Sequence, residues 1–146
     1  DPLKNIIAAV HIGWKGANNK ILEKTIESLI NLGSDINNIK LAIGPCIGPS
    51  SYEVRNDFYL KFTKNNVFNK VFFEKIGIDK FKFNLPKYIL HQAINLGINK
   101  NNISNTDKDT FSNEEDFFSY RRNYNNKLND CGRMISAISI KKIDND

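Results

Sequence analysis

The amino-acid sequence predicts an α/β fold of layered mixed β-sheets flanked by helices, and three observations support this class. Residues 6–12 form a continuous apolar run, which is typical of a strand buried on both faces. The segment that ends near Leu32 spaces its apolar residues three and four apart, as a helix with one buried face does: Leu22, Ile26, Leu29 and Ile30. Leu41–Ile43 is a second short apolar run. Together these elements predict a βαβ unit, whose crossover is normally right-handed.

Glycines, prolines and asparagines predict where the first elements end. We expect Gly13 and Gly16 to form a turn after the first strand, and Asn18 or Asn19 to cap the helix. Gly33 is then expected to end this helix. The loop 44–51 contains two prolines and two glycines, which predict a rigid backbone after the second strand.

Two more helices are predicted in the middle of the chain, over residues 52–63 and 85–96. The second has Pro86 in its first turn and Gly97 at its end, both typical of helix boundaries. Residues 65–80 show no clear period, and the polar stretch 99–113 predicts a loop.

The last third predicts an antiparallel hairpin. Residues 117–121 and 134–140 are rich in apolar and β-favouring residues, and the polar stretch 123–130 between them suits an exposed connection. We expect the hairpin to bring Arg121 or Arg122 within reach of the His11 loop. A buried arginine there needs an anionic partner, such as a bound anion or the carboxylate of Glu53.

Length and composition predict one domain over residues 1–146. The chain opens almost at once on its apolar run, and we therefore expect an N-terminal part of the domain to lie outside it. Hydrophobic residues make up 40% of the sequence, but no apolar run approaches the ~18 residues of a membrane span. No signal peptide is visible, and two separate cysteines are too few for a disulfide scaffold. We expect a cytoplasmic protein that does not bind membranes.

The net charge of +5 favours an anionic ligand or weak nucleic-acid binding. However, the lysines are dispersed along the chain, which argues against a dedicated nucleic-acid surface. A biased lysine- and asparagine-rich composition explains the same charge without any ligand. Nucleic acid is therefore the least favoured partner.

The first candidate site is the turn that begins at His11. Residues at the end of a buried strand often bind ligands in α/β proteins, and a neutral imidazole there can bind a metal or transfer a proton. Gly13 lets a ligand approach the backbone, Trp14 offers a flat apolar surface and Lys15 adds a cation. A lone histidine is nevertheless commonly structural, and this alternative stays open.

The other candidates are one cysteine and three arginines. Cys46 follows the second strand, and together with His11 it supplies two ligands, whereas catalytic zinc usually takes three from the protein. Arg121, Arg122 and Arg133 can contact carboxylate or phosphate with paired N–H groups. Because neighbours in a strand point to opposite faces, only one of Arg121 and Arg122 is expected to point inward.

Four motifs in order resemble one known family. They are His-x-Gly-Trp-Lys-Gly, Gly-Pro-x-Ile-Gly-Pro-x-x-Tyr-Glu-Val, Phe-Phe-Ser-Tyr-Arg-Arg and Gly-Arg-Met, at residues 11–16, 44–54, 117–122 and 132–134. This pattern is similar to the YfiH-like multicopper polyphenol oxidase (laccase-domain) family. Members of that family are also described as purine nucleoside phosphorylases with adenosine deaminase activity. The resemblance implies a YfiH-like fold without its N-terminal part.

The resemblance implies an enzyme of purine nucleoside metabolism that takes a nucleoside and phosphate. His11, Arg121 and Arg122 would be catalytic, with Trp14, Tyr120 and Arg133 binding substrate. It also implies a metal, usually zinc and sometimes copper, held by two histidines and one cysteine. His11 matches the first histidine, and Cys46, in the same loop as the family's cysteine, is a weaker candidate for a second ligand. Ser50 and Ser51 occupy the positions where we expect the family's cysteine. We expect the family's second histidine within residues 57–69, and that segment contains no histidine.

Two alternatives to this enzyme stay open at the level of sequence. One is a non-catalytic binding module of the same fold that has lost the metal, which the two serines and the absent histidine favour. The other is a laccase-like polyphenol oxidase, which is least favoured because a multicopper site needs more than the chain's two histidines.

Overall fold

The computed structural model describes residues 1–129 and 131–141 of the 146-residue chain. In chain order the helices are α1 (Trp14–Asn18), α2 (Ile21–Asn31), α3 (Asn56–Thr63), α4 (Leu85–Asn95) and α5 (Tyr120–Asn125). The strands are β1 (Leu41–Ile43), β2 (Glu53–Arg55), β3 (Phe73–Lys75), β4 (Lys80–Phe83) and β5 (Ile103–Asn105). Short 3₁₀ turns cover Val67–Phe72 and Lys100–Asn102. Helices and two small sheets, β1–β5 and β2–β4–β3, confirm the predicted mixed α/β class.

The chain divides into two compact units. The first comprises Asp1–Leu41, Gln92–Ser104 and the described residues from Ile135 on. The second comprises Ala42–His91 and the described part of Asn105–Met134. The second unit contains the three-stranded sheet and most of the candidate site residues.

An aromatic core holds the second unit together. In its antiparallel sheet β4 lies between the other two strands, with Val54 opposite Phe81 and Phe73 opposite Phe83. Phe62 of α3 packs on Phe83 with ring centroids 4.9 Å apart, and Phe83 is completely buried. Each such aromatic pair adds about 0.5–1.5 kcal/mol beyond its burial. This core anchors β2, and thereby fixes the chain that enters β2 from the candidate site.

Helix α2 is the principal helix of the first unit, and it buries the predicted face. Leu22, Ile26 and Leu29 are buried, whereas Ile30 is exposed. The helix ends as predicted at Gly33, whose φ of +106° is a left-handed conformation that favours glycine. Its start differs from the prediction, because Lys20, and not Asn18 or Asn19, occupies the N-cap position.

Helix α4 confirms the prediction for residues 85–96 within one residue. Leu85, Ile89 and Ala93 are buried along one face. Gly97, with φ +100°, follows the end of the helix. The prediction for residues 52–63 is correct only from Asn56 on, because Glu53–Arg55 pairs with β4 as a strand.

The apolar run 6–12 is not a strand, and that prediction is wrong. A strand needs neighbours for its backbone N–H and C=O groups. Among the described residues none pairs with this run, and β1 pairs with β5 instead. The side chains of Ile7 and Val10 are 43% and 40% exposed. The predicted βαβ unit is therefore absent from the described part of the chain.

The predicted hairpin of residues 117–121 and 134–140 is also wrong. The hydroxyl of Ser119 accepts a hydrogen bond from the Arg122 amide and caps α5, which begins at Tyr120. Residues 134–140 form no strand and are exposed; Ile135 is 91% exposed. Local capping at Ser119 therefore overrides the β-favouring composition around it.

The described helices are all too short, or too polar, to cross a membrane.

Candidate functional site

The site is built from two loops of the second unit that are joined through their backbones. The first, the glycine–proline loop, is Gly44–Ser51; the second, the acidic loop, covers residues 105–117. The Cys46 amide donates to the Lys108 carbonyl at 3.2 Å, and the Thr110 amide donates to the Cys46 carbonyl at 2.9 Å. These bonds form a parallel bridge between Cys46 and Asp109. The bridge fixes Cys46 at the junction of the two loops.

Asp109 fastens the same two loops through its side chain. Its carboxylate accepts hydrogen bonds from the Ser51 hydroxyl at 2.5 Å and from the Phe111 amide at 2.8 Å. Burial by itself raises the pKa of Asp109, but hydrogen bonds from Ser51, Gly48, Phe111 and Ser112 outweigh it, and the pKa lies below its usual 3.8. Asp109 is therefore a carboxylate at neutral pH and holds the loops together in that form.

The contact with Asp109 explains the glycine at position 48. A Cβ added to Gly48 would lie 2.8 Å from the Asp109 carboxylate, closer than real Cβ contacts. Gly48 is buried, so the carboxylate occupies the space that a side chain would fill. The second glycine of the Gly-Pro-x-Ile-Gly-Pro motif is thus a packing requirement of the site.

A cavity of about 170 Å³ opens where the two loops meet. Its walls combine two aspartates with other polar residues and with apolar ones: Cys46, Gly48, Pro49, Ser50, Pro86, Asn105, Asp107, Lys108 and Asp109. Such a lining offers oxygen acceptors for the hydroxyl groups of a ligand.

Cys46 lies in this cavity wall as a neutral thiol. Burial raises the pKa of its thiol, and the charges of Asp109 and Asp107 raise it further, to about 11. Metal ions and electrophiles react with the thiolate, which this environment disfavours. Cys46 is therefore suited to donating a hydrogen bond at neutral pH.

The two adjacent arginines point to different partners. Arg122 donates from Nη1 to the carbonyls of Thr110 and Phe111, at 3.0 and 2.8 Å, and from Nη2 to that of Phe117 at 2.6 Å. Arg121 donates from Nη1 to the carbonyl of Glu53 at 2.7 Å. Both arginines lie in helix α5 and not in a strand, so the alternation of a strand does not explain their different partners.

Arg121 also lies 5.3 Å from the centre of the Tyr52 ring, a cation–π distance. Tyr52 itself is buried, and burial raises the pKa of its hydroxyl. The carboxylate of Glu53 pairs with Lys80 at 3.1 Å. Glu53 therefore accepts the hydrogen bond from Arg121 with its backbone carbonyl, and not with the carboxylate that the sequence suggested.

Tyr120 and Arg133 lie at the surface of the second unit. Tyr120 is 76% exposed, and its ring centroid is 6.3 Å from that of Tyr124. Arg133 is exposed and contacts the carbonyl of Cys131. The ring of Phe118 covers the neighbouring Gly132, so closely that a Cβ there would lie 2.5 Å from the ring. Their predicted role in binding substrate stays a prediction.

His11 belongs to the first unit, where its side chain is exposed just before α1. Trp14 opens α1, and the Lys15 ammonium lies 5.6 Å from the centre of its indole ring. A Cβ on Gly13 would lie 3.4 Å from His11 Nε2, which is an ordinary van der Waals distance. The predicted approach of Arg121 or Arg122 to this loop stays a prediction.

Sequence reasoning missed Ser51, Tyr52 and Asp109 as parts of the site. Asp109 lies 58 residues from Ser51, and no local pattern joins them. One signal was present, because a glycine can mark a position where another group approaches the backbone closely. It could indicate that something approaches Gly48, but not which residue.

Comparison with known proteins shows the family to which these motifs belong. The family model described as "Multi-copper polyphenol oxidoreductase laccase" matches residues 1–141. The chain belongs to this family. It is 33% identical over 93% of its length to a purine nucleoside phosphorylase of Rickettsia prowazekii and 35% identical over 92% to one of Haemophilus influenzae. It is 30% identical over 90% to the purine nucleoside phosphorylase YfiH of Escherichia coli K12.

Solved structures confirm the predicted YfiH-like fold. A hypothetical protein YfiH of Bacillus licheniformis superposes on 79% of the chain with a TM-score of 0.72 and 25% identity. A Neisseria meningitidis protein of the family model DUF152 covers 77% with a TM-score of 0.65 and 24% identity. The match covers 44% and 45% of those chains. The three curated relatives are covered over 55%, 52% and 50% of their lengths, so the chain spans about half of each.

The family description implies copper, and the described residues do not fit such a site. No group of three or more His, Cys, Asp or Glu side chains that could hold a metal occurs among residues 1–129 and 131–141. His91, the other histidine, is half-buried and stacks on Phe68 with ring centroids 4.7 Å apart.

Proposed function

We propose that this chain acts in purine nucleoside metabolism, in the phosphorolysis of adenosine or inosine. The observation that carries the proposal is the likeness, over about nine-tenths of the chain, to relatives named purine nucleoside phosphorylase. Because the chain spans about half of each relative, the activity of the whole enzyme is part of the proposal.

Phosphorolysis makes three demands on a site. A phosphate oxygen bonds to C1′ of the ribose while the bond from C1′ to the purine nitrogen breaks, and the electron pair leaves with the purine, which then takes a proton. The site must therefore hold an anion, bind the ribose hydroxyls and supply a proton.

Residues of the chain can be assigned to these demands. Arg121 has the charge and the geometry to hold phosphate. The cavity between the two loops presents Asp107, whose carboxylate can accept a hydrogen bond from a ribose hydroxyl. His11 is the proposed proton donor to the purine, and Trp14 or Tyr120 the proposed stacking surface for the base.

Chromatography of the products tests this function. The purified protein is incubated with adenosine or inosine, with and without phosphate. We expect adenine or hypoxanthine together with ribose 1-phosphate, only when phosphate is present, and much less product from His11→Ala. Inosine formed from adenosine without phosphate would show the adenosine deaminase activity that the family resemblance implies. Absence of any product above the His11→Ala control contradicts the proposed function.

A binding module that has lost its metal is the second candidate. The absence, among the described residues, of a group of three or more side chains that could hold a metal favours it. It predicts no stoichiometric metal in the purified protein and no turnover of nucleosides. Elemental analysis that finds about one zinc per chain, lost in His11→Ala, contradicts this candidate and supports the predicted zinc.

The cytoplasmic location stays a prediction.

A further inference from the structure

Arg122 has its N–H groups committed to the protein backbone. Three of the five N–H groups of a guanidinium donate here to the carbonyls of Thr110, Phe111 and Phe117. The Nε edge faces Glu114, whose Oε1 lies 3.7 Å away. The side chain is only 12% exposed. An anion at Arg122 would have to displace these carbonyls or approach a negative charge.

Arg121 donates fewer hydrogen bonds to the protein than Arg122 does. Its single hydrogen bond goes from Nη1 to the Glu53 carbonyl, and the guanidinium lies against the Tyr52 ring. Among the described residues no carboxylate forms an ion pair with Arg121. The nearby carboxylate of Glu53 is occupied by Lys80. Arg121 therefore keeps an uncompensated charge and a paired set of N–H groups.

The two contacts of Arg121 also hold its guanidinium in place. The contacts with the Tyr52 ring and the Glu53 carbonyl already restrict the rotamers of Arg121. The side chain therefore loses less conformational entropy when it binds a ligand. The two contacts are with Tyr52 and Glu53, which directly follow Ser51, the last residue of the glycine–proline loop. The orientation of Arg121 is thus tied to the fastened glycine–proline loop.

We propose that Arg121 contacts the inorganic phosphate of the reaction and that Arg122 is a structural residue that holds the 110–117 segment in shape. The identity of the anion rests on the proposed function. The separation of roles rests on the hydrogen bonds above and can be tested without turnover.

The test measures thermal unfolding of the purified protein with inorganic phosphate as the only added ligand. The matched variants are Arg121→Met and Arg122→Met, with Lys64→Met as a control for loss of an exposed charge. We expect phosphate to raise the Tm of the wild-type protein and of Lys64→Met by about 5 °C near saturation. We expect no such rise for Arg121→Met, whose Tm without phosphate stays within about 2 °C of wild type.

Arg122→Met is expected to lower the Tm without phosphate by about 5–10 °C, because three carbonyls lose their donor. If it does not fold, Arg122→Lys replaces it, with a smaller loss and an unchanged response to phosphate. A phosphate response in Arg121→Met, no response in the wild-type protein, or loss of the response in folded Arg122→Lys overturns the proposal.

Adenosine monophosphate at the same concentration separates a free phosphate ion from a phosphate ester. A response to inorganic phosphate supports the proposal, whereas a response to the ester alone overturns it. If phosphate binding follows Arg121 but no purine is released, the proposed function fails and the separation of the two arginines stands.

Discussion

The glycine–proline loop and the segment 6–16 carry similar sequence signals but differ in what fixes them. Both contain two glycines and a candidate site residue, and both match motifs of the family. In the loop, Asp109 reaches in from 58 residues away to bond Ser51 and fill the space beside Gly48. In segment 6–16, the close neighbours of Gly13 and Gly16 are His11 and Ile21, nearby in sequence. Distant contacts therefore make the loop the more rigidly determined of the two.

Replacing Gly48 is expected to have the largest effect on this difference. In Gly48→Ala the new Cβ meets the Asp109 carboxylate at 2.8 Å, and we expect a loss of about 1–3 kcal/mol in the free energy of unfolding. Gly44→Ala is the matched control, because nothing lies within 4 Å of a Cβ there. It should change stability by less than about 0.5 kcal/mol. Equal losses in urea unfolding of the two variants would show that Asp109 does not pack on Gly48.

The same contrast explains what the sequence could predict. Helix α4 and the end of α2 at Gly33 depend on local spacing and terminators, and they were predictable. The apolar run 6–12 was wrongly predicted to be a strand, because a strand depends on neighbours elsewhere in the chain. Arg121 and Arg122 were recognised as candidates, but their separate partners depend on the turn from strand to helix at Ser119.

The reactivity of Cys46 should show the acidic surroundings of the loop. With a pKa of about 11 in place of 9.0, the thiolate fraction at pH 8 falls about 100-fold, while the greater nucleophilicity of a more basic thiolate recovers about tenfold. In a Cys131→Ser background we expect Cys46 to react with an aromatic disulfide reagent about tenfold more slowly than in the denatured chain. Asp109→Asn should raise this rate. Equal rates in native and denatured protein would contradict the assigned environment.

Acid should release the Asp109 contact, which is the smallest effect expected. A carboxyl whose pKa is lower in the folded state than its usual 3.8 stabilises the fold above that value, and this contribution is lost as the pH falls through the folded-state pKa. Asp109→Asn should therefore be less stable than wild type in urea at pH 7 and closer to it at pH 3. Asp79→Asn, an exposed aspartate before β4, serves as the control. A stability gap that widens in acid would mean that the pKa is raised.

The most direct test of a phosphorolytic site at the glycine–proline loop measures the release of hypoxanthine from inosine. The rate of release is recorded as a function of phosphate concentration. For the wild-type protein we expect no release without phosphate and a saturable rise with it. Arg121→Lys keeps the charge but loses the paired N–H groups, and should raise the KM for phosphate about tenfold with little change in kcat. Release that does not depend on phosphate, or an unchanged KM in Arg121→Lys, would contradict this assignment.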